Sequence, residues 1–238
     1  MKNKSELHTR TRLLIAAERV FALYGVEGAT SRMIVAEAKQ RNQSALTYHF
    51  TTRHDLMEAI CKFRMEPIDN DRMTRIVDYL SDLPRPADRL PSLIRIACVP
   101  SILPIMEARG KSYFRRFLAQ AITNPSTQFS SLIGGKFDAG LRQTSMLICR
   151  EVSHLPAVVA SRRVKTMYQS ISYLTAHLEA RCAVGPWKAR KAELDAEIDL
   201  MVDGFSGFML APHRAVAPTS IKILERKELE MKSQAALL

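Results

Sequence analysis

Glycine is scarce, 9 in 238 residues, and few stretches alternate apolar with polar residues under β-branched enrichment. A sheet protein is therefore disfavoured, and the expected fold class is all-α. No two cysteines form a CxxC pair: Cys61, Cys98, Cys149 and Cys182 are scattered. That fits free thiols in a reducing cytoplasm and argues against a disulfide framework or a zinc knuckle. No apolar h-region follows the charges of the opening MKNKSELHTRTR, so a secretory signal is not expected. No apolar run reaches the ~18–20 residues of a membrane span. A cytoplasmic protein without a membrane partner is expected. The histidines, His8, His49, His54, His154, His177 and His213, form neither HExxH nor a Cys/His cluster at metal spacing. A Gly-rich phosphate loop and a GxSxG elbow are missing too. No catalytic residue, metal or cofactor is expected, although sites can assemble from distant residues and a helical enzyme stays open as an alternative.

Positive charge is abundant. Lys and Arg number 35 against 24 Asp and Glu, a net +11, which suits a polyanionic partner such as nucleic acid. The excess is spread along the chain, so charge alone raises that expectation only modestly. The 47% hydrophobic content is that of a globular protein with a core.

From Thr9 the pattern is helical, with Leu13, Ala17, Val20, Phe21 and Tyr24 on one stripe. Gly25 is placed to stop that helix. Thr30-Ser31 can N-cap a second short helix over 32–38 that buries Ile34, Val35 and Ala38. A polar turn, Lys39-Gln40-Arg41, leads to Asn42 as N-cap of a third helix ending near Phe50. Thr51-Thr52 restarts a fourth through Leu56, Ile60 and Phe63. Three short helices, two joined by a tight turn, describe a helix-turn-helix. Its core is small and leans on the fourth helix and the body. A longer helix is expected beyond Glu66-Pro67 as far as Leu83, closed by Pro84-Arg85-Pro86. Helical segments come next near 87–106, 111–123, 126–152, 156–182 and 188–211. The divisions read as a head at 1–64, a helical body at 65–212, and a tail at 213–238. The tail is either a last helix (Ile221, Leu224, Leu229) or disordered chain.

Residues 25–53, GVEGATSRMIVAEAKQRNQSALTYHFTTR, sit within a longer pattern covering about 9–63. It comprises an Arg-rich lead into Ala16, Ala17 and Phe21, a G-x-x-x-x-T/S loop, then Leu46-Thr47-Tyr48-His49-Phe50, a Ser/Thr-Arg step and a Leu56 helix. Together these features resemble the DNA-binding domain of the TetR family of bacterial transcriptional regulators. The resemblance implies an N-terminal three-helix helix-turn-helix domain ahead of a larger helical ligand-binding and dimerisation domain. It further implies a sequence-specific homodimer on a near-palindromic double-stranded DNA operator, and repression relieved by a small-molecule effector. One position departs from the pattern: Lys39 stands where the family usually has Gly. If that position needs positive φ, Lys there costs on the order of 1 kcal/mol; otherwise the turn is rebuilt.

The residue chemistry agrees with such a role. A recognition helix needs polar side chains outward and apolar ones inward. Gln43 and Thr47 lie four apart with Ser44 beside them, while Leu46 and Phe50 point inward. Gln bonds adenine bidentately, and Thr hydrogen-bonds a base or touches a thymine methyl. Arg32, at the start of the second helix, suits a guanine edge or a phosphate. Thr30, Ser31, Asn42, Tyr48, His49 and Arg53 complete the expected DNA-contact set, with Thr30, Ser31, Tyr48, His49 and Arg53 on phosphates. Lys2, Lys4, Arg10 and Arg12 form a basic N-terminal arm.

In the body, the late stripes Ile171, Leu174, Leu178 and Leu194, Ile198, Met201, Phe205, Met209 are the expected dimer interface. The bland reading is that both simply face the intrachain core. Met106, Tyr113, Phe114, Phe117, Met146 and Met167 are the candidate lining of a partly apolar effector pocket. A helical interaction protein that does not read DNA is the second alternative.

Overall fold

The computed structural model describes residues 2–40, 42, 44–127 and 134–213. Every regular element among them is a helix. Helix α1 (Lys2–Gly28) buries Leu13, Leu14, Ala17, Val20 and Phe21. It starts ahead of Thr9 because the preceding residues contain neither Gly nor Pro and continue the turn. Gly25 does break it, at φ 77° and ψ 163°, a conformation nearly confined to glycine. Tyr24 is exposed rather than part of the buried stripe, because the chain turns at Gly25 immediately after it.

Helix α2 (Ser31–Glu37) is capped by Thr30, whose side chain accepts from the Met33 amide. Asn42 caps α3 (Ser44–His49), its Oδ1 accepting from the Ser44 amide at 3.0 Å. Between them Lys39 sits at φ 53°. The Gln40 amide donates to the Val35 carbonyl and the Lys39 amide to that of Ala36, both at 3.0 Å. These are the two bonds of a Schellman turn with its left-handed residue at position 39. The turn is kept, and lysine occupies it at a conformational cost.

Helix α4 (Arg53–Ser81) opens with a capping box between Thr52 and Asp55. It runs through Glu66-Pro67, where the sequence pattern predicts a boundary. Pro67 removes the amide that would bond the Phe63 carbonyl, but both residues lie on the exposed side, where water can take that bond. Helix α4 thus spans the expected head–body division at residue 64. Helix α5 (Pro86–Cys98), a 3-10 turn (Val99–Ile102) and α6 (Leu103–Glu107) form one apolar rod, the turn absorbing Pro100. Residues Pro86–Glu107 have the length and apolarity of a membrane span, yet most of the stretch is buried inside the protein.

Helix α7 (Phe114–Thr123) comes after a tight turn at Gly110 (φ 78°), where an added Cβ would meet the Cys182 carbonyl at 2.4 Å. After a 3-10 turn at Pro125–Thr127 come α8 (Ala139–Glu151), α9 (Ala157–Cys182) and α10 (Trp187–Leu210). The expected helix over 126–152 therefore starts only at Ala139; residues 128–133 lie outside the described residues, as do 214–238 with the expected last helix.

Buried side chains form two clusters. The first joins α1–α3 and the start of α4 to Phe114, Phe117, Leu118 and Ala121 of α7. The second joins the end of α4 to α5, α8, α9 and α10. Lys39→Gly should stabilise the full chain by about 1 kcal/mol, because glycine adopts the left-handed conformation without steric penalty. Urea unfolding of the two proteins checks this; an unchanged or lower midpoint would show that the position is unstrained.

Candidate nucleic-acid interface and internal cavity

The head presents α3 outward. Leu46 and Phe50 are buried, while Ser44, Thr47 and Tyr48 are exposed, Tyr48 at 74%. The Thr47 hydroxyl donates to the Ser44 carbonyl at 3.1 Å, which leaves its methyl and a lone pair for a partner. The Tyr48 ring stands edge-on to His49 at 5.0 Å, and His49 is half-buried against Phe50. Ser31, Thr47, Thr51, Thr52 and Arg53 rim one crevice of about 90 Å³, so the starts of α2 and α4 meet the outer face of α3. Arg32 is exposed with no bonding partner among the described residues, and Thr30 is exposed above its cap. Asn42 is exposed, its carbonyl oxygen engaged in the cap. Gln43 lies outside the described residues, as do the side chains of Lys2 and Lys4.

Arg53, expected on a phosphate, is exposed and already bonded within the head. Its guanidinium donates to the Val26 carbonyl and, at 2.7 Å, to that of Ala29. Arg12, expected in a basic arm, donates to the Ala38 carbonyl at 2.6 Å. Both satisfy carbonyls at helix ends that have no amide partner of their own. Arg10 lies over the Phe50 ring at 5.1 Å. The arm is the first part of a braced helix.

Behind the head, a cavity of about 440 Å³ opens between α4, α7, α8 and α9. Its apolar wall includes Ile68, Leu118, Ile122, Leu141, Val164 and Ile171, and its polar groups include Arg72, Arg115 and Tyr168. Arg115 is fully desolvated, which pulls its pKa down to about 10, so it remains a cation at neutral pH. None of the six residues expected to line an effector pocket lines this cavity. Phe114, Phe117 and Met167 are fully buried in the two cores, and Met106 packs half-buried on the second. Met146 is exposed, and Tyr113 is held between the Arg19 and Arg116 guanidiniums at 5.1 and 4.3 Å.

The expected dimer stripe is also redistributed. Ile171, Leu178, Leu194, Ile198, Met201 and Met209 are buried in their own body core, and Phe205 is half-buried. Leu174 is exposed, and with Leu178, Met201 and Phe205 of the expected set, and with Leu200 and Phe208, it lines an outer groove of about 360 Å³ between α9 and α10. An added Cβ at Gly204 or Gly207 would meet nothing within 4 Å, so both glycines present bare backbone outward. The cysteines are free, and burial pushes the Cys61 and Cys98 thiols up to about 12, leaving them unreactive as nucleophiles.

This architecture, a helix-turn-helix head on an all-helical body, is that of a DNA-binding regulator. Residues 13–60 match the family model described as bacterial regulatory proteins, tetR family. Two solved structures share the fold over most of the chain. One, a TetR-family transcriptional regulator from Mesorhizobium loti MAFF303099, has a TM-score of 0.51 at 12% identity, covering 84% of this chain and 96% of that one. The other, a tetR-family transcription regulator from Shewanella sp. PV-4, has a TM-score of 0.51 at 16% identity, covering 82% and 97%. No curated protein matches. Residues 13–60 are thus similar to the DNA-binding domain of tetR-family bacterial regulatory proteins, and the chain shares the fold of solved TetR-family transcriptional regulators.

Tyr48→Phe should weaken binding to every duplex by a similar factor, because a phosphate contact positions without reading sequence. Titration against a panel of duplexes checks this; a loss confined to some sequences would assign Tyr48 to base readout.

Proposed function

We propose that the protein is a cytoplasmic transcriptional repressor that holds a near-palindromic operator as a homodimer and releases it when a small molecule enters the cavity. The observation that carries this reading is the outward face of α3, where Thr47 and the largely exposed Tyr48 stand on a helix braced by a Schellman turn and an Asx cap. Thr47, Ser44 and Gln43 face base edges, with Arg32 beside them; Thr30, Ser31, Asn42, Tyr48 and His49 hold the phosphates. Two such helices one DNA turn apart, ~34–36 Å, read the two half-sites.

The dimer surface is the outer groove of α9 and α10. Its exposed apolar side chains and bare glycines suit the close approach of a second helix pair. The bundle then fixes the spacing of the heads. Release works through α7, which joins cavity and head. Arg115 and Leu118 of α7 line the cavity, Phe117 stacks on Phe21 of α1 at 5.7 Å, and the Gln120 side chain donates to the Ala22 carbonyl at 2.8 Å. Glu18 of α1 accepts from the Tyr113 amide at 3.2 Å while held by Arg64 at 2.7 Å. An effector that prefers one position of α7 shifts the heads with it; moving a 99:1 population to 1:99 takes roughly a 10⁴-fold preference.

Selection of bound DNA from a random library tests the reading directly. A recovered inverted repeat with half-sites one turn apart is expected; recovery without sequence preference at moderate salt leaves a helical interaction protein instead. Leu200→Asp, which places a charge on the exposed seam (Leu200 is 67% exposed), should yield monomers in sedimentation and abolish operator binding. A dimeric variant would move the interface elsewhere.

A further inference from the structure

The cavity carries charge that its surroundings leave unanswered. Arg72 and Arg115 are each 4% exposed and both line it. The carboxylate beside Arg72 is Asp69, at 3.5 Å from Nη1, the outer limit of an ion pair. Asp69 already accepts from the Gly140 amide at 3.1 Å and the Leu141 amide at 3.3 Å, capping α8. The Arg72 Nε is buried with no hydrogen-bond partner among the described residues. The carboxylate near Arg115 is Glu179, which accepts from the Ser112 hydroxyl, from the Arg115 and Arg116 amides, and from the Arg116 Nε at 3.2 Å. Among the described residues the Arg115 side chain itself donates only to a neutral group, the Thr175 hydroxyl at 2.8 Å.

A third polar tip points the same way. The Tyr168 hydroxyl lines the cavity and is buried, and among the described residues only the Thr144 and Ser145 hydroxyls stand near it, without a well-formed hydrogen bond. Thr144 and Ser145 stand beside it, but their hydroxyl protons go to the Gly140 and Leu141 carbonyls. Lys165 adds a cation at the cavity wall, and no Asp or Glu lines it. Around this pole stand the guanidiniums of Arg72, Arg115 and Arg116 against the carboxylates of Asp69 and Glu179. Lys165 is exposed, so water screens its charge; among the groups shielded from solvent the excess is one positive charge.

Buried guanidiniums without partners are costly, and a planar carboxylate matches their fork geometry. We propose that the cavity binds an amphipathic monocarboxylic acid, with its carboxylate received by Arg72, Arg115 and the Tyr168 hydroxyl and its hydrocarbon part on Ile68, Leu118, Ile122, Leu141, Val164 and Ile171. A single excess charge matches a monoanion better than a dianionic phosphate. The volume, about 440 Å³, lies in the ~300–1,000 Å³ range of small-molecule sites. This inference rests on the body being the effector sensor and names what it senses.

The test is calorimetric titration of the full chain with octanoate, octan-1-ol and octylamine, and with 4-phenylbutyrate and 4-phenylbutan-1-ol. At least one acid should bind tenfold or more tighter than its alcohol, and the amine weakest. Arg72→Met and Arg115→Met should each remove that preference while leaving the alcohol's affinity in place. Tyr168→Phe removes one unpartnered hydroxyl and no volume, so it serves even if the arginine variants misfold; the acid should weaken three- to tenfold and the alcohol not at all. Equal affinity for acid and alcohol, no binding by either acid, or an acid preference that survives all three substitutions overturns the assignment. Operator release is measured separately. An acid that binds through Arg72 but leaves the DNA complex intact overturns the release mechanism and leaves the head-group assignment standing.

Discussion

The stacking of Phe21 on Phe117 ties the head of this protein to its body, and most of the architecture depends on it. Each large apolar side chain contributes about 1.5–3 kcal/mol when buried. The first core draws Phe114, Phe117 and Leu118 from α7, whereas α2 brings it only the smaller Ile34 and Val35. A head detached from α7 would lose its large aromatic partners and expose Phe21. On its other side the same helix presents Arg115 and Leu118 to the cavity. One short, closely packed helix therefore serves two environments, and a packed element moves as a unit rather than bending to suit each.

The polar side of the head obeys a second constraint, that carbonyls at helix ends need donors. Arg12 and Arg53 reach across the chain to the Ala38, Val26 and Ala29 carbonyls, and Arg19 is drawn to Glu37 at 2.8 Å. Basic residues in a DNA-binding head are easily counted as DNA contacts. Here several hold the scaffold, and the groups left outward are the medium-length polar tips of α3 with Arg32. Lys39 belongs to the same account: the turn geometry at φ 53° persists although glycine would hold it more cheaply, because the two amides it aligns cap α2.

Much of the head was legible in the chain. The stripe through Leu13, Ala17 and Phe21, the break at Gly25, and the caps at Thr30, Asn42 and Thr52 are local features, set by bonds spanning four residues or fewer, and local pattern finds them. The body was legible only as a set of helices. Met167 and Phe117 were natural pocket residues by type, yet they fill space instead of bordering it. The more informative signal was a charge on an apolar stripe: Arg72 lies between Ile68 and Ile76 at four-residue spacing, and Arg115 precedes Leu118 and Ile122 at three and seven. Similarly, the strongest stripes of α9 and α10 satisfied their own core first, and the exposed seam of Leu174, Leu200 and Phe208 lay beside them.

The amino-acid order by itself determined that the chain is helical, where the short helices of the head begin and turn, and which face of α3 is polar, because these depend on near neighbours. Tertiary packing decided that α4 runs unbroken past Pro67, that Arg53 braces the Val26 and Ala29 carbonyls, and where a hollow remains between α4, α7, α8 and α9. Those outcomes turn on which distant surfaces compete for the same side chain, and a linear pattern carries no record of that competition.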